Sequence, residues 1–349
     1  MIELIKQPWP WYASGAAIAF IMVLLLYFGK SFGFSSNLRT LCTIAGAGKT
    51  SKFFDFDWST QRWNLLFLVG AIIGGYISAT FLKSDDPVEL AKEHRRLGYS
   101  AAYVPEVELK DADRINAIRK AFTNENVIIA EVGAWVNMLD NNTEKRKKNI
   151  TYVTERLALA EEIGALNCVN IGGSYNPSQW DGPDARNMTA EYFDATVENC
   201  RKIIDAVKPK RAKFSLEMMG WSLPDGPDSY LKFIKEIDRQ AFGAHVDIAN
   251  ILNSPDRFFN NKALIDETFK KLGRWITSCH AKDIVGKDVH LAETMPGKGG
   301  MDYAAYLRNV TSLSREIPLM LEHLKTAAEY DEARAFVVNK ATELGIKMA

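Results

Sequence analysis

Charged residues are absent from positions 7–29 and again from 63–82, stretches of 23 and 20 residues. After them the chain changes character, and short apolar runs alternate with longer amphipathic segments to the end. A bilayer core of about 30 Å is crossed by roughly 20 apolar residues of helix, so the two charge-free stretches predict two membrane spans. Trp9, Trp11 and Tyr12 head the first and Trp58 and Trp63 the second, the placement expected of rings at the headgroup level. Beyond them, apolar runs at 101–105, 127–133, 167–172, 212–218, 244–248, 275–280 and 318–322 predict seven strands separated by helices. Asp86, Pro87 and Glu89 carry the start signals of a helix that should stop near Gly98. Strict alternation of strand and helix implies parallel strands with right-handed crossovers. No G-x-G-x-x-G follows the first strand, which favours an eightfold (β/α)8 TIM barrel over a dinucleotide-binding sheet. An eighth strand, first in order, has one source, residues 76–82. The helix over 63–82 is therefore expected to end at Gly74-Gly75, giving a membrane segment 1–75 and a barrel 76–349.

Composition sharpens this division. The 349 residues balance 43 Lys+Arg against 43 Asp+Glu, yet residues 1–82 hold six basic and three acidic side chains and residues 83–349 hold 37 and 40. The slightly acidic second part, with all five histidines, lacks the basic face that nucleic-acid binding requires. The four cysteines have no paired spacing, so neither a disulfide framework nor a zinc ribbon is indicated. Residues 35–50, small and weakly polar between the two spans, read as a re-entrant loop that presents the nucleophile Cys42. Its Gly-Lys-Thr end is not a phosphate loop, because position 43 is Thr where that motif needs Gly. Together these features place the chain at a bacterial-type inner membrane through residues 1–82, with the barrel in the aqueous phase on the cytoplasmic side. Basic residues flank both ends of the second span, so charge alone does not orient it. A homo-oligomer is compatible with this arrangement.

The chemistry is expected at the C-terminal ends of the barrel strands. Glu217, Asp247, His280 and Glu322 end four successive apolar runs, and three converging carboxylates without a cation would repel one another. Three oxygens and one imidazole nitrogen suit a divalent metal, Mn2+ or Mg2+ first, with Co2+ or Zn2+ as alternatives. Such an ion, gripping vicinal oxygens of a sugar, would stabilise the enediolate formed when a proton leaves the carbon beside the carbonyl. Glu217 and Glu322 would act as base and acid. Trp135, Trp180 and Trp221 follow the runs 127–133, 167–172 and 212–218, where their rings could pack on sugar C–H faces. Lys282 or Lys298 offers a charge for a phosphate or carboxylate. His323, adjoining Glu322, should point to the opposite face of a regular strand and pack there.

Two resemblances accompany these readings. Pro8-Trp9-Pro10-Trp11-Tyr12, then Gly33-Phe34-Ser35-Ser36-Asn37-Leu38-Arg39 with Cys42, then Trp63-Asn64-Leu65-Leu66-Phe67 with Gly70 and Gly74-Gly75, resemble the opening of the YeeE/YedE-type sulfur (thiosulfate) transporters. That resemblance implies a role for Cys42 in passing a sulfur anion, and with it a transporter fragment that carries the barrel as a passenger, or a non-functional fusion. From residue 76 onward the chain resembles the xylose-isomerase-like barrels of the sugar phosphate isomerase/epimerase family. The likeness is carried by Leu97-Gly98-Tyr99, Leu216-Glu217, Asp247-Ile248-Ala249-Asn250, His280-Ala281-Lys282-Asp283 and residues 296–303. It implies that Glu217, Asp247, His280 and Glu322 bind the metal, that the two glutamates move protons, and that Asn250 and Lys282 join Trp135 and Trp221 around the substrate. Ketose 3-epimerases of that family carry His where this chain has Asn250, so the metal set carries over more firmly than ketose epimerisation.

Overall fold

The computed structural model describes residues 11–30, 33–77, 80 and 86–348. The chain forms two compact units, Met1–Asp86 and Pro87–Ala349.

In the first unit, helices span Trp11–Tyr27 and Arg62–Ile77, 17 and 16 residues long. Among the described residues no helix is long and apolar enough to cross a membrane, so the two expected spans, and the membrane location built on them, are not supported. Residues 7–10, with Trp9, lie outside the described residues. The expected re-entrant loop is corrected as well, since Phe34–Ile44 is a helix. Its small polar residues face inward rather than exposing backbone. Buried Asn37 donates to Asn64 Oδ1 at 3.2 Å, and Asn64 donates to Ser36 Oγ at 2.8 Å, joining this helix to Arg62–Ile77. Cys42 lies exposed on the same helix.

The proposed break at Gly74-Gly75 does not occur, because the helix continues through both glycines to Ile77. A glycine inside a helix costs about 1 kcal/mol relative to alanine, which weakens a helix without ending it. Neither glycine here adopts the left-handed conformation that stops one. Tyr76 and Ile77 are thus helical rather than strand, Thr80 is helical too, and residues 78, 79, 81 and 82 lie outside the described residues.

The second unit opens with the expected helix, Pro87–Arg96, and folds as a TIM-barrel-like α/β structure. Seven parallel strands form its wall. They are β1 (Ala101–Tyr103), β2 (Ile128–Gly133), β3 (Asn167–Asn170), β4 (Lys213–Leu216), β5 (Ala244–Val246), β6 (Ile276–Ala281) and β9 (Leu319–Leu321). Between β6 and β9 an antiparallel hairpin, β7 (Asp283–Lys287) and β8 (His290–Thr294), rises from the mouth. It was not foreseen from the apolar pattern. The wall runs β1-β2-β3-β4, then β5-β6-β9, and the two sheets meet through the bridges Phe214 to Phe242 and Glu217 to His245. Between β9 and β1 no ladder forms among the described residues. Tyr103 Oη instead donates to Leu321 O at 3.3 Å, and a cavity of about 510 Å3 lies in the seam, bordered by Tyr99, Ile128, Ile317 and Leu319. This is the place an eighth strand would fill.

The long helices pack their apolar faces against the wall. Phe122, Leu157 and Phe233, one each from Ala112–Asn124, Thr143–Ile163 and Pro227–Ile237, are fully buried against it. Where β4 and β5 lack a continuous ladder, the buried Tyr230 hydroxyl takes its place. It accepts from Leu216 N at 3.1 Å and His245 N at 3.2 Å, and donates to Leu216 O at 2.6 Å. Tyr230→Phe leaves those two amides without an acceptor in a dry site, at a cost of about 1–3 kcal/mol for an unsatisfied buried donor. The urea midpoint should fall with an unchanged m-value, and an unmoved midpoint would show that the amides find other partners.

Candidate metal centre

At the mouth of the barrel, four strand ends bring ionisable groups onto one point. Glu217 follows β4, Asp247 follows β5 and caps the short helix Ile248–Ile251, His280 lies within β6, and Glu322 follows β9. One ligand atom from each lies within 4.8 Å of all the others. His280 sits at the centre. Its Nδ1 is 2.9 Å from Glu322 Oε2, 3.0 Å from Glu217 Oε1 and 3.4 Å from Asp247 Oδ2. The strand is held in place from behind. Tyr306 Oη donates to His280 O and Tyr303 Oη to Lys282 O, both at 2.7 Å.

Lys282 enters the same cluster, with Nζ 2.7 Å from Asp247 Oδ2 and 2.9 Å from Glu322 Oε2. Asn250 links it to Glu217, accepting from Lys282 Nζ at 3.2 Å and donating to Glu217 Oε1 at 3.1 Å. Trp135, Trp180, Asn250, Lys282, Glu217 and Glu322 line a cavity of about 180 Å3 above the cluster. Trp221 does not line it and is 65% exposed. Cys42 belongs to the first unit. Lys298 is spent on an exposed ion pair with Glu332 at 2.6 Å. His323 differs from expectation. Its φ of 58° departs from strand geometry, so the ring turns to the cavity and pairs with Glu293 at 3.0 Å instead of packing on the opposite face.

Two further residues, which the apolar pattern did not single out, complete the cluster. Glu131, wholly buried in β2, lies 3.3 Å from His280 Nε2 and 3.1 Å from His245 Nε2. A signal was present for each. Glu131 is a charge in the middle of an apolar run, and His245 lies two positions before Asp247, hence on the same face of its strand.

The electrostatics are those of a dry, charge-dense site. Burial alone would push the His280 imidazole down, but Glu131 and Glu217 outweigh it and hold His280 well above its usual range. Burial likewise opposes the Lys282 ammonium, which Asp247, Glu217 and Glu322 nevertheless keep strongly charged. Against burial, Lys282 and His280 hold Asp247 well below the usual carboxylate range, and His280 and Lys282 bring Glu322 down to about 2. Glu217 goes the other way, raised by burial, with repulsion from Asp247 adding to it.

This donor set fits a divalent cation. Asp247 Oδ2 and Glu322 Oε2 are buried without any aligned hydrogen bond, although cationic groups stand close to both. Such oxygens have capacity for an ion. The four ligand atoms all lie within 4.8 Å of one another, a convergence of the size that ligands sharing one ion need.

A family model described as xylose isomerase-like TIM barrel matches residues 90–340. None of the curated proteins matches the chain. Among solved structures, a xylose isomerase domain protein from Planctomyces limnophilus is 17% identical, covering 74% of this chain and 92% of its own, with a TM-score of 0.55. D-psicose 3-epimerase, solved in the presence of D-fructose, is 15% identical over 75% of this chain and 95% of its own, with a TM-score of 0.55. A xylose isomerase-like TIM barrel protein from Mycobacterium smegmatis, in complex with magnesium, is 17% identical over 74% and 88%, with a TM-score of 0.53. At these identities the likeness is one of fold. Nothing in these comparisons supports the sulfur-transporter resemblance of residues 1–82.

A ligating imidazole must be neutral, whereas Glu131 and Glu217 favour the protonated form of His280 in the metal-free chain. Metal binding should therefore release on the order of one proton per ion, seen as a calorimetric enthalpy that varies with the ionisation enthalpy of the buffer. Affinity should tighten as pH rises toward the raised His280 value, because below it a proton competes with the ion for the ring. A buffer-independent enthalpy would mean that His280 stays protonated and outside the coordination sphere.

Proposed function

Because the chain belongs to the xylose isomerase-like TIM barrel family, we propose that it is a divalent-metal-dependent isomerase or epimerase of a sugar or sugar phosphate. The observation that carries this reading is the convergence of Glu217, Asp247, His280 and Glu322 within 4.8 Å at the barrel mouth, under a small cavity. Relatives in fold include D-psicose 3-epimerase and L-ribulose 3-epimerase, whose substrates are sugars by name. When bound, the ion, Mn2+ or Mg2+ for an oxygen-rich set, supplies electrostatic stabilisation of negative charge growing on a substrate oxygen.

The protein's own groups do the rest. Glu322 takes the proton from the carbon beside the carbonyl. Glu217, the second proton-carrying carboxylate of the cluster, returns a proton to the substrate. Asn250 fixes the Glu217 carboxylate through its 3.1 Å hydrogen bond. Lys282, buried among the acids, balances their charge and offers a donor to a substrate oxygen. Trp135 and Trp180 supply ring faces at the cavity wall, and its volume of about 180 Å3 suits a single monosaccharide rather than a chain of them.

The test is deuterium uptake from D2O into a panel of free ketoses and ketose phosphates, followed by NMR with the Mg2+-loaded chain. Exchange at the carbon beside the carbonyl is expected for at least one of them. Glu322→Gln, which keeps an oxygen ligand but removes the proton carrier, should lower it by about 10²- to 10⁴-fold. Full exchange in that variant would reduce Glu322 to a ligand, and no exchange with any ketose would remove the isomerase reading.

A further inference from the structure

Glu131 does not line the cavity, yet it is a charged group with no exposed surface at all. Each of its oxygens faces a different imidazole. Oε1 lies 3.1 Å from His245 Nε2, and Oε2 lies 3.3 Å from His280 Nε2. The two rings cross edge to face with centroids 4.1 Å apart, so neither can turn independently of the other.

The proton positions follow from what each nitrogen meets. His245 Nδ1 is buried with no hydrogen-bond partner. An unpartnered buried nitrogen is far better left as a lone pair than as an N–H, so the His245 proton sits on Nε2 and is donated to Glu131. The second Glu131 oxygen is then the acceptor for the Nε2 proton of His280. With that proton anchored on Glu131, the proton His280 gives up to an incoming ion is the one on Nδ1, the nitrogen that faces Glu217, Asp247 and Glu322. Ring orientation and tautomer are both set from below.

We infer that Glu131, braced by His245, is a positioning residue that fixes the tautomer of His280 and so makes Nδ1 the metal-ligating atom. A carboxylate on the far nitrogen of a ligating histidine holds the ring in place and raises its basicity as a ligand. The inference rests on the metal reading proposed above and adds to it residues that do not themselves coordinate. Glu131→Gln keeps the size and shape of the side chain but has only one acceptor oxygen for two imidazole N–H groups. One ring must give up its bond or switch tautomer, and a switch at His280 puts a proton where the ion belongs.

The experiment is titration of the 349-residue chain with Mn2+, followed by loss of the free-ion EPR signal. The wild type should bind one ion, and Glu131→Gln should bind it about 10- to 100-fold more weakly. Equal affinity in wild type and Glu131→Gln overturns this inference and leaves the metal reading intact. Absence of Mn2+ binding by the wild type overturns both. A second measurement does not depend on the variant folding. With Zn2+ bound to the wild type, the imidazole ¹⁵N spectrum should show His280 protonated at Nε2 and unprotonated at Nδ1. The opposite tautomer overturns the inference.

Discussion

The interior of this barrel is organised around one imidazole with carboxylates at both of its nitrogens. His280 is nearly inaccessible to water, and Glu131 lies behind it while Glu217, Asp247 and Glu322 lie in front. Burying one unpaired charge is prohibitively expensive, so each group in this set is tolerable only because the others are present. Lys282 completes the balance from the side. Four strand ends must therefore stay in register to within a hydrogen-bond length.

The strands alone would not guarantee that register. Several are only three or four residues long, and the β4–β5 junction is reduced to isolated bridges. Tyrosine hydroxyls supply what the ladders lack. Tyr230 ties β4 to β5 just below Glu217, while Tyr303 and Tyr306 hold the carbonyls of Lys282 and His280. Each ring is buried in the apolar layer between wall and helices, and each hydroxyl reaches a backbone group. The packing layer and the polar centre are thus built by the same side chains. The open seam between β9 and β1 lies to one side of this arrangement, spanned by Tyr103.

Much of this was legible in the chain. The alternation of apolar runs with amphipathic segments located all seven parallel strands, and the start signals at Pro87 located the first helix of the barrel unit. The ionisable residue closing each of four runs marked the cluster, because a charge ending a strand that is otherwise apolar has to face the barrel mouth. A charge-free stretch is not sufficient for a membrane span, and none of the described helices qualifies as one; paired glycines do not by themselves end a helix, because backbone conformation decides that. His323 escaped because one residue with positive φ reverses the face that strand alternation assigns.

Periodicity and residue type, then, determined which segments are strands and which side chains stand at their ends, since both follow from local geometry repeated along the chain. They could not determine which groups become partners across it. Glu131 and His280 are 149 positions apart and meet only because the wall curves back on itself, bringing β2 and β6 to a common axis. The division of labour between carboxylates that face the open site and one that fixes an imidazole from behind depends on depth along that axis. Depth is a property of the closed barrel and has no counterpart in the linear pattern.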